Sequence, residues 1–139
     1  LPIPEFFVTI KFVMTNPVTF TRALADDTRW RIVRLVMDDA LCVCELADIL
    51  GMPQSSVSSH VQVIRKAGLL ESEKCEKWTY FRITREHLPL VRAIAKHFAG
   101  EELHPEDPAN AAKRLCLREN SCCPGPKQLA TRRKSKATP

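Results

Sequence analysis

Apolar residues recur at helical spacing through most of positions 17–99, and the period changes to alternation only once. Over residues 17–39, Trp30, Val33 and Met37 share one helical face and Ile32, Leu35 and Val36 widen it. This predicts a helix with a break near Asp26-Asp27. Residues 41–50 predict a second, short helix whose buried side is Leu46, Ile49 and Leu50. Gly51 ends it, because glycine takes up the left-handed conformation of a helix terminus without strain. Pro53 suits the first turn of the next helix. There Val57, Val61 and Ile64 point inward, and Gly68 closes the element. Residues 69–74 and Trp78–Ile83 then read as two strands around a tight turn. Thr84 can cap a last helix reaching about Ala99, with Leu88, Val91, Ala95 and Phe98 along one side. Beyond Gly100 the pattern fades. Pro105, Pro108, Pro124 and Pro126 among many charges predict a loose tail with a helical turn at 109–118.

The order helix, three-residue turn (Gly51-Met52-Pro53), helix, hairpin is that of a winged helix-turn-helix. The expected fold class is therefore mostly α with a small β-hairpin. Three stretches follow: an N-terminal extension over 1–16, a winged-helix DNA-binding and dimerisation domain over 17–100, and a flexible, basic, Cys-containing tail over 101–139. The apolar run at 6–14 lacks a basic start and a small-residue cleavage site, so it is not read as a secretory signal. Met14 is a candidate initiating residue, which would make residues 1–13 an upstream addition. Apolar runs are too short and too often broken by charge to span a bilayer. A cytoplasmic protein without membrane contact is expected.

The second helix of the helix-turn-helix carries short polar side chains at its N-terminal end. Gln54, Ser55, Ser56, Ser58, Ser59 and His60 can reach base edges or phosphates, with Arg65 further along and Lys77 and Arg82 on the wing. Net charge is +5, but the acid-free stretch 127–139, with Lys127, Arg132, Arg133, Lys134 and Lys136, accounts for all of it. A basic overall balance therefore says little about the folded surface. Locally, residues 53–83 hold five Lys/Arg (Arg65, Lys66, Lys74, Lys77, Arg82) against three Glu (Glu71, Glu73, Glu76), mild support for phosphate contact.

Residues 22–98 resemble the ArsR/SmtB family of metal-responsive winged-helix repressors. The stretches that carry the resemblance are 23–29 (Ala-Leu-Ala-Asp-Asp-Thr-Arg), Leu41-Cys42-Val43-Cys44-Glu45-Leu46, Ser55-x-x-Ser58-x-His60, Ala67-Gly68-Leu69-Leu70 and Lys77-Trp78-x-Tyr80-x-Arg82. The resemblance implies a homodimer built on the first and last helices. It also implies a repressing form without cofactor that binds double-stranded operator DNA and is released by an inducer. One departure lies in the wing turn, where Cys75-Glu76 stands in place of the glycine often found there.

The six cysteines are Cys42, Cys44, Cys75, Cys116, Cys122 and Cys123. Without a secretory signal, reduced thiols are expected rather than a disulfide framework. Thiolates suit soft, thiophilic ions. Cys42-Val43-Cys44 resembles the inducer site of the arsenic- and antimony-sensing branch, which implies As(III) or Sb(III) as inducer. Residues i and i+2 of a helix do not face one another. One ion could hold both sulfurs only if this turn unwinds or the pair leaves the helix. Trivalent arsenic calls for a third thiolate, and the position three beyond the pair is Ala47. Cys75, Cys116, Cys122 and Cys123 remain as candidates, and the last three, lying within eight residues, could themselves wrap a metalloid. Their spacing fits no structural-zinc pattern. His87 and His97 do not complete a helix-borne metal site.

No Gly-rich phosphate loop, nucleophile elbow or His-Glu-x-x-His is present, so no catalytic residue is assigned and an enzyme is not expected. The alternatives are a winged-helix repressor that senses Cd, Pb or redox state, and a cysteine-based arsenate reductase using Cys42 or Cys44.

Overall fold

In the computed structural model, residues 15–118 and 123–129 are described. Met14, Cys122 and the basic residues at 132–136 lie outside them. Helix α1 (Pro17–Leu24) starts where the Asn16 side chain accepts the Thr19 N–H at 2.9 Å, with Pro17 in the first turn. Helix α2 (Asp27–Asp38) starts the same way, with Asp26 accepting the Arg29 N–H at 3.0 Å. Two consecutive caps of this kind produce the expected break near Asp26-Asp27.

The next element departs from expectation. Leu41 and Cys42 form a short strand, β1, rather than the start of a helix. They pair antiparallel with the wing, Leu41 opposite Phe81 and Cys42 opposite Tyr80. Helix α3 (Val43–Leu50) begins only after them and ends at Gly51, whose φ of 65° is left-handed. Helix α4 (Gln54–Lys66) follows, and buries Val57, Val61 and Ile64. Strands β2 (Leu70–Cys75) and β3 (Trp78–Ile83) complete an antiparallel sheet of order β1-β3-β2. Among the described residues, Glu76 in the wing turn is the only non-glycine with positive φ, at 57°. The missing glycine thus changes the residue and not the conformation.

Helix α5 (Leu88–His97) starts later than expected, because Thr84 caps a preceding turn by accepting the His87 N–H at 3.4 Å. Helix α6 (Asp107–Cys116) replaces the predicted single turn in the tail. Central helix α2 packs against α1, α4, α5, α6 and β3. Ile32, Val33 and Val36 are fully buried there, together with Leu46, Val57, Val61, Ile64, Leu69 and Ile83. Each such side chain contributes about 1.5–3 kcal/mol by leaving water.

The described part of the tail is not loose. Arg31 holds Asp107 through two hydrogen bonds of 2.9 Å, which fixes α6 against α2, and α6 also packs on α3. Val18 on α1 and Leu90 and Phe98 at α5 remain more than half exposed. Among the described residues, no helix is long and apolar enough to cross a membrane.

Candidate functional site: three thiols beside a helix-turn-helix

Cys42 is the N-cap of α3, with extended dihedrals of φ −90° and ψ 169°. It lies outside the helix, so its sulfur and that of Cys44, in the first turn, can converge without any unwinding. The expected helix distortion is therefore not needed to bring the pair together. The third sulfur comes from Cys123, 3.6 Å from Cys42 Sγ. All three Sγ atoms of Cys42, Cys44 and Cys123 lie within 4.8 Å of one another. Cys42 and Cys123 are buried, and Cys44 is half-buried.

Of the other cysteine candidates, Cys116 ends α6 in an exposed position and does not join this group. Cys75 packs into the same small apolar cluster as Cys42, Tyr80 and Cys123, but its sulfur is not one of the three. The described cysteines are all unbridged.

The surroundings are charged and tightly paired. Glu45 closes a capping box at the start of α3. Its carboxylate accepts the Cys42 N–H at 3.2 Å, and its own amide faces the Cys42 sulfur. Glu45 is fully buried, and Arg118 neutralises it with two hydrogen bonds of 2.8 Å. Arg118 also donates to the Ala40 carbonyl at 2.8 Å and stacks over the Tyr80 ring at 5.3 Å. Arg114, also buried, donates from Nε to Asp48 at 2.8 Å and from Nη2 toward Cys123 Sγ at 3.8 Å. Burial pushes the Cys42 thiol well above its usual range, so in this state it is protonated.

Residues 123–129 run from this site onto the wing. The Gly125 N–H donates to Tyr80 Oη at 2.7 Å, and burial pushes the Tyr80 phenol up to about 12. The N–H groups of Lys127, Gln128 and Leu129 all donate to the Glu73 carboxylate, at 2.8, 2.8 and 2.9 Å. These three amides hold the Glu73 carboxyl below its usual range. Gly125 has φ 90°, and a Cβ there would come within 3.1 Å of the Arg118 side chain. The positive φ favours glycine, and a Cβ there would also crowd the Arg118 side chain.

Along α4, Gln54, Ser55, Ser59 and Arg65 are exposed, and Ser56, Ser58 and His60 are half-buried. The Ser59 hydroxyl donates to the Ser55 carbonyl at 3.1 Å, and Arg65 Nε donates to Gln62 at 2.9 Å. His60 Nδ1 lies 3.7 Å from Asp26. Lys77 is exposed at the wing tip, with its ammonium 5.1 Å from the Trp78 ring centre. Arg82 does not face outward as expected. It is 8% exposed, and both Nε and Nη2 donate across the hairpin to Glu71, at 2.9 and 2.7 Å. Glu71 sits opposite it in register, and the cross-strand pair draws the guanidinium inward.

The model of the bacterial regulatory protein, arsR family, matches residues 26–72. An arsenic resistance transcriptional regulator of Pseudomonas putida is 38% identical over 60% of this chain. The match spans 66% of that regulator, just under two thirds of its length. A cadmium resistance transcriptional regulatory protein of Listeria innocua is 32% identical over 60% of this chain and 71% of its own. This chain belongs to the arsR family. The solution structure of a homodimeric winged helix-turn-helix DNA-binding domain from Mycobacterium bovis aligns at TM-score 0.54. It covers 74% of this chain and 92% of its own at 23% identity, which shows the fold.

In this ArsR-family protein, the residues that sequence reasoning missed are those around the sulfurs. Glu45 stood at the third position after Cys42, the spacing of a capping box. Arg114 and Arg118 stood four apart, on one face of a helical turn. Tyr80 stood in a stretch that carries the resemblance, but its contact here, like that of Glu73, depends on where residues 123–129 dock.

Proposed function

We propose that this ArsR-family protein is a transcriptional repressor that leaves its operator when trivalent arsenic or antimony is held by Cys42, Cys44 and Cys123. The observation that carries this reading is the convergence of three sulfurs within 4.8 Å, two of them on the helix-turn-helix. Three soft donors, grouped with no carboxylate or imidazole among the described residues, suit a trivalent thiophilic centre. Such a centre joins each sulfur as a thiolate, so binding takes the proton from the raised Cys42 thiol.

The route to DNA runs through two contacts already described. Cys42 caps α3, the first helix of the DNA motif, and pairs with Tyr80 on the wing. Drawing the sulfurs together loads the cap and the sheet at once. Operator affinity then falls to the extent that the ligand prefers the rearranged form. In the repressing form, with no cofactor, Gln54, Ser55, Ser56, Ser58, Ser59, His60 and Arg65 face DNA from α4, and Lys77 from the wing. The exposed Val18, Leu90 and Phe98 on α1 and α5 support a two-fold homodimer matched to a palindromic operator. The protein acts in the cytoplasm and catalyses no reaction.

Fluorescence anisotropy on operator DNA, titrated with arsenite, antimonite, cadmium, lead and zinc, tests this reading. Cys42→Ser, Cys44→Ser and Cys123→Ser should each blunt release by arsenite while repression persists, and Cys116→Ser should not. Release by arsenite that survives in the Cys42/Cys44 double variant would overturn the site. Release by cadmium or lead but not by arsenite would overturn the inducer.

A further inference from the structure

Among the described residues, one buried side-chain nitrogen has no hydrogen-bond partner, Arg114 Nη1. It belongs to a side chain at nine-tenths burial whose other terminal nitrogen, Nη2, lies 3.8 Å from Cys123 Sγ. The ion pair with Asp48 does not account for it. Asp48 is 60% exposed at its side chain and engages Arg114 through Nε. A guanidinium held only for packing α6 on α3 would be matched by oxygen acceptors, as Nε and Nη2 of Arg118 are by Glu45 and Ala40, whereas Nη2 of Arg114 meets only a sulfur. Leaving a charged donor buried and unmatched is costly, and proteins keep such groups rarely.

We propose that Arg114 is a positioning residue of the thiol site, which grips an oxygen of an incoming trivalent oxyacid while the sulfurs displace the others. The inference rests on the three-thiol reading above. It adds the form in which the metalloid enters: an undissociated hydroxide of arsenic or antimony, rather than a bare cation. A bare soft cation offers the guanidinium nothing to bond. An oxyacid brings hydroxyl oxygens, which accept N–H bonds. In each exchange one thiol loses its proton, a sulfur–metalloid bond forms and a metalloid–oxygen bond breaks. The departing hydroxyl takes that proton and leaves as water, so three thiols and one trihydroxide give a tris-thiolate and three waters with no change of oxidation state. Arg114 stays protonated throughout. Its donor is matched while an oxygen remains, so it speeds entry and does not hold the final adduct.

Stopped-flow absorbance in the sulfur-to-metal charge-transfer bands, on the full chain, separates the two ligand types. Arsenite is one probe, and cadmium, which brings no hydroxyl oxygens of its own, is the other. In Arg114→Met, arsenite association should slow about tenfold, the weight of one charge-assisted hydrogen bond, with cadmium association within about twofold of the parent. Arg114→Lys keeps the charge beside Asp48 but not the second edge, and should slow arsenite in the same way. Asp48→Asn leaves the guanidinium whole and should leave both rates near the parent's. Equal slowing of arsenite and cadmium in both Arg114 variants would reduce Arg114 to a structural strut and overturn the proposal. So would arsenite rates that do not change. Failure of the parent protein to bind arsenite at these thiols would instead remove the three-thiol reading itself, and this inference with it.

Discussion

The sulfurs of Cys42 and Cys123 stand 3.6 Å apart, although 81 positions separate them along the chain. One belongs to the DNA-reading motif and the other to a segment beyond the winged helix. Their meeting makes Cys123 part of the three-thiol group, and it depends on the buried pairs that seat α6 and residues 123–129.

The first of those pairs is the Glu45–Arg118 bridge. Arg118→Met would leave a fully buried carboxylate without its cation, and should cost about 3 kcal/mol in urea unfolding. Adding Glu45→Gln should restore much of that loss, since a neutral amide can still accept the Cys42 N–H. A double variant no more stable than Arg118→Met would show that Arg118 acts through Ala40 and Tyr80 instead.

The residues proposed to face DNA are of two kinds. Ser58→Ala and His60→Ala should each weaken operator binding by about 1–3 kcal/mol with an unchanged melting temperature. Arg82→Ala should instead lower the melting temperature, because Arg82 is spent on Glu71 inside the hairpin. Anisotropy at fixed salt, beside thermal melts, reads both. Full operator affinity in the Ser58 and His60 variants together would remove α4 as the docking face.

The wing turn offers a gain. Glu76 holds a left-handed backbone at φ 57° without being glycine. Glu76→Gly should stabilise the protein by about 1 kcal/mol, relieving the clash of its Cβ with the following carbonyl. Equal or lower stability in chemical denaturation would mean that the Glu76 side chain contributes more than its backbone costs.

The acid limb of stability should carry a mark of Asp26. The Arg29 N–H bond to its carboxylate lowers its pKa from the ordinary 3.8. A depressed folded value gives stability that is present above the unfolded pKa and is lost as pH falls through the folded one. Asp26→Asn caps α2 without titrating, so its stability should fall less steeply below about pH 4 than the parent's. Parallel acid limbs for the two proteins would show that the cap contributes nothing through its charge.

Much of this architecture was legible from local pattern. Val57, Val61 and Ile64 marked the buried side of α4, Gly51 its preceding turn, and Asp26 the gap between two helices. The strand at Leu41–Cys42 was not, because two residues carry no period, and only pairing with Tyr80 and Phe81 defines them. The same error hid the route to the site, since Cys42 in a helix could not have faced Cys44. Cys123 could be named as a candidate but not chosen over Cys75, Cys116 or Cys122, since the choice is made by chain folding over long range. Arg82 misled for a similar reason. Alternation gave its strand, but the carboxylate that turns it inward lies on the neighbouring strand.

The separation between Cys42 and Cys123 has a consequence for the unfolded chain. A centre bonded to both sulfurs ties together a loop that encloses α3, α4, the whole wing and both later helices. Were that tie to persist after melting, the denatured chain would lose about 4–5 kcal/mol of loop-closure entropy, as with a disulfide of that span. The inducer would then act as a removable cross-link. The form that has let go of DNA would be harder to unfold than the form that grips it, and harder for a protease to open.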